Sequence, residues 1–241
     1  DIHGILTAPN LPRRNLLHNW DFRNPVNQRG VSDTISAVGY FIDRWKLTSG
    51  SVTIGTAGLT LRGTIVQISE YPWGTNVTAS VRMVSGTATI TYDNTTKTTT
   101  VTSSGGVIEA VKLEYGSVST LANDAPADYG EQLALCQRYF IAVPAYMPLA
   151  CYLNSTTSVN ISVPVPVEMR INPTITISGD VALYTGSKAV TLANASISNS
   201  AGQKKGGVVM VTLTASSALS LTTYTSVIAR PNGRWTLSAD L

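Results

Sequence analysis

One short stretch with helical periodicity, residues 128–140 (DYGEQLALCQRYF), separates two halves of the chain that carry β-strand patterns. Its apolar residues recur at i, i+4, i+7 and i+11, which places them on one face of an α-helix. These residues are Tyr129, Leu133, Cys136 and Phe140. Asp128 is a favourable N-cap with Glu131 three positions on, so we expect the helix to begin at about Asp128. An isolated helix of about three turns is only marginally stable in water. We therefore expect its apolar face to pack on its own chain or on the same helix of neighbouring subunits.

The N-terminal half contains short strands separated by Gly, Pro and Asn turns. The predicted strands are YFIDRWKL, SVTIGT, LTLRG, IVQISE, NVTASVRMV, TATITYD, KTTTVTS and VIEAVKLEYG. In the first of them one face is predicted to hold Phe41, Asp43, Trp45 and Leu47, and we expect Trp45 to face the core. The sequence Asp93-Asn94-Thr95-Thr96 predicts a hairpin tip. Strands at this spacing predict an all-β fold, with a two-sheet β-sandwich or a jelly-roll β-sandwich over residues 15–120.

The C-terminal half, residues 141–241, also predicts strands and holds only nine of the 31 charged residues. In SVNISVPVPVEMRI an apolar residue occupies every second position, which predicts one buried face. The set is Val159, Ile161, Val163, Val165, Val167, Met169 and Ile171. Pro164 and Pro166 lie on the opposite register and donate no hydrogen bond to a ladder, so this stretch is predicted to be an edge strand covered by contacts between subunits. We expect a second, sandwich-like β domain, and residues 121–140 then form the linker and helix between the two domains.

The charge content excludes several classes of partner. Charged residues make up only 13% of the 241 residues, against roughly 25% in typical soluble domains, which suits β structure and large interfaces. The net charge is +3 and the basic residues are scattered, so no basic stripe predicts nucleic-acid binding. No apolar run reaches the roughly 18 residues of a membrane span, so we expect no membrane insertion.

The two cysteines leave two alternatives open. Cys136 lies on the apolar face of the predicted helix, where a small buried thiol is expected. A Cys136–Cys151 disulfide is the alternative in an oxidising compartment. Neither cysteine belongs to a C-x-x-C pair and only His3 and His18 offer imidazoles, so we predict no zinc site.

Candidate binding residues are aromatic. A sugar site needs aromatic faces for the apolar side of a ring and polar groups for its hydroxyls. Tyr71 and Trp73 lie in a Y-P-W-G turn between strands, where Trp73 either contacts a ligand or folds over the end of the sandwich. Trp235, on the last predicted strand, either contacts a receptor or packs between subunits. Lys204 and Lys205, in a GQKKGG turn, suggest an anionic surface polymer as ligand.

The sequence offers no catalytic constellation. Glycoside hydrolysis needs two carboxylates roughly 5 to 10 Å apart, and the C-terminal half has only the widely spaced Glu168, Asp180 and Asp240. A Ser-His-Asp site would depend on His3 or His18, and no G-x-S-x-G motif occurs. We therefore expect a protein that is not an enzyme.

Four segments, taken in order, resemble a class of bacteriophage tail-fibre and receptor-binding proteins. They are NLLHNWDFRNPVNQRG (15–30), YFIDRWKL (40–47), VIEAVKLEYGSVST (107–120) and ADYGEQLALCQRYF (127–140). In that class a jelly roll similar to carbohydrate-binding modules precedes a short helix ending in C-x-R-Y-[FY]. The likeness continues more loosely through PVPVEMRINPTITISG and the terminal RWTLSADL, which is similar to the D-A-E-L endings of fibre tips.

The resemblance implies a homotrimer on a phage virion, with the helices packed about the threefold axis through the apolar face named above. Residues 1–14 would be an arm that attaches to other virion proteins, and residues 141–241 a tip that meets bacterial cell-surface glycan. Jelly rolls of this kind often hold a structural Ca²⁺, for which Glu109 occupies the acidic position and Asp21 is a second candidate. The adjacent carboxylate of the family pattern is replaced by Ala110. This departure removes one expected ligand, so we expect no cofactor. The alternatives are a monomeric carbohydrate-binding module of a secreted protein and a head or neck decoration fibre.

Overall fold

A computed structural model describes residues 11–145, 147–178, 181–184, 189–192, 196–201, 207–214, 227–231 and 233–241. The chain divides after Cys136 into unit 1, to which the C-terminal Leu241 also belongs, and unit 2, Gln137–Asp240. Strands in both units pair antiparallel, and the described residues contain one α-helix. The predicted all-β class is therefore confirmed. Nowhere in the described ranges is there a helix long and apolar enough to span a lipid bilayer.

The strands of unit 1 form one hydrogen-bonded sheet. They are β1 (Thr34–Ile35), β2 (Gly39–Ile42), β3 (Trp45–Gly55), β4 (Gly58–Ile68), β5 (Val77–Ser85), β6 (Ala88–Asp93) and β7 (Thr98–Tyr115). The order is β1-β3-β4-β7-β5, with β2 on β3 and β6 on β7. The 18-residue β7 is the central strand, with β4 along one edge and β6 and then β5 along the other. A 3-10 turn (Leu121–Asn123) and helix α1 (Tyr129–Gln137) follow.

Glycines allow the long strands of this sheet to approach closely where they bend. Gly50 of β3 pairs with Gly63 of β4, and both have positive φ, 80° and 132°. A Cβ on Gly63 would overlap the carbonyl oxygen of Ser49. Irregular register beside both glycines, at Leu47/Ser49 and Leu61/Arg62, marks the β-bulges that bend such strands around a core.

The predicted strand over residues 40–47 is a tight hairpin instead. Strand β2 ends at Ile42, which pairs with Trp45 at the start of β3, and Arg44 lies between them with φ 73°. The Asn19 side-chain amide donates to the Asp43 carbonyl at 2.8 Å, and the Arg44 guanidinium donates to the Ile68 carbonyl. Both turn residues are therefore buried, which hides the turn in an alternating pattern. The prediction that Trp45 faces the core is confirmed, because it is 0% exposed.

Unit 2 contains a seven-stranded and a three-stranded sheet. Its strands are β8 (Phe140–Val143), β9 (Leu149–Leu153), β10 (Ser158–Val165), β11 (Thr174–Ile177), β12 (Val181–Tyr184), β13 (Ala189–Leu192), β14 (Ser196–Ala201), β15 (Gly207–Thr214), β16 (Val227–Pro231) and β17 (Trp235–Ser238). The larger sheet has the order β13-β12-β16-β9-β10-β15-β14 and the smaller β11-β17-β8. The alternating residues of β10 and β15 are buried in the core of this unit.

The predicted edge strand is wrong. Strand β10 lies between β9 and β15 in the middle of the larger sheet. Pro164 is accommodated because β9 pairs only with the first part of β10, Val159 to Ile161, so only β15 lies beside Pro164. The buried alternation is confirmed within β10 and reaches Met169, which is 1% exposed, whereas Ile171 is 46% exposed.

Helix α1 begins as predicted and ends earlier than predicted. The Asp128 carboxylate accepts the Glu131 N–H at 2.8 Å, as expected of an N-cap. The helix stops at Gln137, and Phe140 lies in β8, where it pairs with Ser238. Of the predicted apolar face Cys136 is buried, Leu133 is half-buried and Tyr129 is 43% exposed. The predicted continuous stripe is therefore wrong, and both Cys136 and Cys151 are buried as reduced thiols.

Candidate functional site

Three aromatic side chains at one end of unit 1 form a cluster, here called the aromatic cluster. Trp73 makes edge-to-face contacts with Tyr71 and Tyr115, each with ring centroids 6.5 Å apart. Tyr71 is 63% exposed and Tyr115 51% exposed, while Trp73 is half-buried. Exposed, mutually supported rings of this kind offer flat apolar faces to a ligand.

The turn that carries Trp73 is fixed by hydrogen bonds. The Trp73 backbone N–H donates to the Tyr92 hydroxyl at 2.9 Å, and its indole N–H donates to the Ser69 hydroxyl at 3.0 Å. The next residue, Gly74, donates its N–H to the Asn94 side chain at 2.9 Å. Because the single polar group of the indole is bonded within the protein, the ring offers only its apolar surface to a ligand. A preorganised turn also loses little entropy on binding.

Tyr115, at the end of β7, is positioned beside the N-terminal segment. The Arg13 guanidinium donates to the Tyr115 carbonyl at 2.8 Å. Gly116, with φ 104°, leaves room for this contact, because a Cβ there would overlap the guanidinium. Further along the same segment the Leu16 N–H donates to the Leu113 carbonyl at 2.8 Å. Residues 13–16, the first two of which were predicted to belong to the N-terminal attachment arm, therefore lie along β7.

A groove of about 1020 Å³ opens beside the aromatic cluster within unit 1. Its walls are the segment from Pro12 to His18, the segment from Asn123 to Asp128, and the first turns of α1. Trp73 and Tyr115 line it together with Trp20. We call this feature the groove. Its volume is at the upper end of the range typical of small-molecule sites, about 300 to 1,000 Å³.

The groove wall from Asn123 to Asp128 belongs to the predicted linker. A buried ion cluster holds this segment in place. The Lys112 ammonium, on β7, is 0% exposed and lies 2.6 Å from an Asp124 carboxylate oxygen and 2.9 Å from the Thr120 hydroxyl. Glu114 accepts the Thr120 N–H at 2.7 Å. Charge-assisted bonds between buried groups fix geometry strongly, so this segment is an integral wall of the groove.

The two weak Ca²⁺ candidates, Asp21 and Glu109, are bridged by an arginine. Arg23 contacts Asp21 at 2.6 Å and Glu109 at 2.8 Å, and Arg82 lies 3.1 Å from Glu109. Burial alone raises the pKa of Asp21, but hydrogen bonds from Arg23 and from the Ala127 N–H, with the Arg23 charge, lower the pKa below its usual value. The guanidinium supplies the positive charge at this site, so these residues do not fit a Ca²⁺ ion. No group of three potential ligands to a metal occurs in the part of the chain that the structure describes.

Trp235 is buried, whereas the prediction that it contacts a ligand requires an exposed side chain. It is 0% exposed and belongs to the core of unit 2. Its indole is therefore closed to a ligand, and we correct the prediction of a receptor contact there. Lys204 and Lys205 fall outside the described residues.

The sequence pattern missed Tyr115 and the groove. Tyr115 stands at the end of a predicted strand and directly before a glycine, a signal that marks a strand end and carries no information about neighbours. Among the described residues neither the Tyr71 nor the Tyr115 hydroxyl bonds to another protein group, so both are open to ligand hydroxyls. Comparison of the chain with protein-family models, with curated proteins and with solved structures finds no match.

Proposed function

We propose that the chain is a non-enzymatic attachment protein of a bacteriophage tail fibre that binds bacterial surface glycan through the aromatic cluster of unit 1 and needs no cofactor. The observation that carries the glycan-binding part is the exposed and preorganised cluster of Tyr71, Trp73 and Tyr115 beside the groove. Sugar rings present apolar C–H faces that pack on aromatic rings, and their hydroxyls bond to nearby polar groups.

The fibre part of the proposal rests on the four-segment resemblance and on the low charge of the C-terminal half. It assigns the chain to the virion as a homotrimer, with the N-terminal residues joined to other virion proteins. Three copies would present three aromatic clusters to one cell surface, so weak individual contacts add through effective concentration. Unit 2 then serves mainly for assembly and for presenting the fibre.

A printed array of bacterial surface polysaccharides tests the binding part. We expect the full chain to be retained on at least one polysaccharide and the Tyr71→Ala variant to lose about ten-fold in apparent affinity, roughly one stacked ring. Tyr152→Ala is the matched control, since Tyr152 is a 46% exposed tyrosine of unit 2. Equal binding by both variants would contradict the assignment to the aromatic cluster.

Light scattering coupled to size exclusion tests the assembly part. The proposal predicts a mass near three times 25.5 kDa. A monomer that still binds polysaccharide would instead support the second candidate, a carbohydrate-binding module of a secreted protein, which the aromatic cluster on a β unit also favours.

A further inference from the structure

The charged side chains that line the groove nearly cancel one another. Two are cationic and three are carboxylates. They are Arg13, Arg14, Asp124, Asp128 and Glu131. Lys112, directly behind Asp124, lies 2.6 Å from its carboxylate. With Lys112 and its buried neighbour Glu114, 3.7 Å away, included, three positive and four negative groups surround the groove.

Most of these charges are already engaged within the protein. Asp124 is paired with Lys112, and Asp128 caps α1 through the Glu131 N–H at 2.8 Å. The Arg13 guanidinium donates to the Tyr115 carbonyl at 2.8 Å. In the described part of the chain the side chains of Arg14 and Glu131 alone among the five make no hydrogen bond or ion pair, and both are exposed.

This balance selects against a charged ligand. An anionic chain in the groove would meet the carboxylates of Asp124, Asp128 and Glu131, and a polycation would meet Arg13 and Arg14. Like charges at close range cost several kcal/mol in discrimination between partners. A neutral ligand meets neither penalty, and its hydroxyls can accept from Arg14 and donate to Glu131.

We propose that the groove binds a neutral oligosaccharide, with one sugar ring against Tyr115 and Trp73 and ring hydroxyls bonded to Arg14 and Glu131. This inference rests on the proposed glycan-binding function and names its ligand class. It differs from the expectation, drawn from Lys204 and Lys205, of an anionic polymer.

Titration calorimetry on the full chain tests the inference. The neutral probes are chitotetraose, cellotetraose and mannotetraose, and the anionic probes are a hyaluronan tetrasaccharide and tetragalacturonate. We expect a neutral probe to bind with a Kd that changes less than about two-fold between about 0.05 and 0.5 M NaCl, because no net charge is neutralised. Tyr115→Ala should raise this Kd about ten-fold, and Tyr152→Ala should leave it unchanged.

A charge reversal sharpens the test. Glu131→Lys adds two units of positive charge at the rim, so it should weaken the neutral probe only a few-fold and create salt-sensitive binding of tetragalacturonate. Glu131→Gln is the matched control, which keeps the shape and should not bind the anionic probes. Glu131 is exposed, so even the lysine in the first helical turn should cost the fold no more than about 1 kcal/mol.

The outcomes separate this inference from the proposed function. If only the anionic probes bind, and Tyr115→Ala abolishes that binding, the ligand class is not neutral. The proposed glycan-binding function would then still hold. If a neutral probe binds with the same Kd to the Tyr115→Ala variant, the groove is not the binding site. Failure of every probe, together with an array on which no polysaccharide retains the chain, would overturn both.

Discussion

The two units bury very different interiors. Every buried charged side chain in the described residues belongs to unit 1. The set is Asp21, Asp43, Arg44, Lys112 and Glu114. Within the described part of unit 2 the only buried polar side chain is Asn160, and the core consists of alternating aliphatic residues with Trp235.

This difference fits the proposed division between a binding unit and a framework unit. Unit 1 uses buried charges to tie irregular segments to β7, as Lys112 does for Asp124, and those segments form the groove. The described part of unit 2 relies mainly on strand alternation, which specifies a sheet, and buries no charged side chain. Burying charged groups costs desolvation free energy. In unit 1 this cost accompanies loops whose geometry the buried ion pairs fix.

The largest expected effect comes from the buried tryptophan of unit 2. Trp235→Ala should lower the free energy of unfolding by about 4 kcal/mol, since it removes a fully buried side chain and leaves a cavity. Trp73→Ala in unit 1 should cost about 1 kcal/mol, because the ring is only half-buried and its removal takes away one hydrogen bond, to Ser69, and its edge contacts. Urea unfolding followed by far-UV circular dichroism measures both, and equal losses would contradict the contrast between a core and a site tryptophan.

Breaking the ion cluster should destabilise unit 1. Lys112→Met leaves Asp124 and Glu114 buried without a cation, for which we expect a loss of about 3 kcal/mol. Lys46→Met is the control, because Lys46 is half-buried and its loss should cost less than about 1 kcal/mol. Tryptophan fluorescence reports mainly on unit 1, which holds Trp20, Trp45 and Trp73. Similar midpoints for the two variants would show that the cluster does not hold the wall.

The paired glycines Gly50 and Gly63, where β3 and β4 bend, should not tolerate a side chain. Gly63→Ala combines positive φ with an overlap on the Ser49 carbonyl, so it should cost about 2 kcal/mol. Gly55→Ala, where φ is not positive and the nearest atom is 3.4 Å away, should change stability by less than about 0.5 kcal/mol. A thermal melt of both variants compares them, and an unaffected Gly63→Ala would argue against the tight backbone approach.

The smallest effect concerns pH. The folded pKa of Asp21 is lowered, so its interactions stabilise the fold above the unfolded-state pKa and are lost as pH falls through the folded value. Relative to Asp21→Asn, the native chain should be more stable by about 1 kcal/mol near pH 6, with the difference beginning to fall near about pH 4 and vanishing only below the lowered folded pKa. Urea midpoints across this range measure it, and a difference that grew toward low pH would contradict the assigned direction.

Local patterns predicted the local features of the fold. Alternation in β10, the Asp128 cap and the burial of Trp45 each depend on residues close in sequence, and the structure bears them out. The hairpin at Asp43 and Arg44 escaped prediction because both polar residues are buried by partners distant in sequence, such as Asn19 and Ile68. The interior position of β10 was missed because its neighbour β15 lies about 50 residues away, and strand order is a long-range property.

The candidate site divides in the same way. Trp73 and Tyr71 were predicted because an aromatic turn is a local signal. Tyr115 and the groove were missed because Arg13 and Leu16 approach β7 across about 100 residues of sequence. No periodicity or spacing encodes such a contact, and a pair of arginines after a proline, Arg13-Arg14, is typical of a solvated segment.

The most direct test of the account uses the four tryptophans as probes in both units. We would label the chain with 5-fluorotryptophan, assign the four ¹⁹F signals by single Trp→Phe substitutions, and titrate the polysaccharide that binds best on the array. The account predicts that the Trp73 signal shifts with ligand while the signals of the buried Trp45 and Trp235 stay in place. A shift of Trp235 with Trp73 unchanged would place recognition in unit 2 and contradict glycan binding at the aromatic cluster.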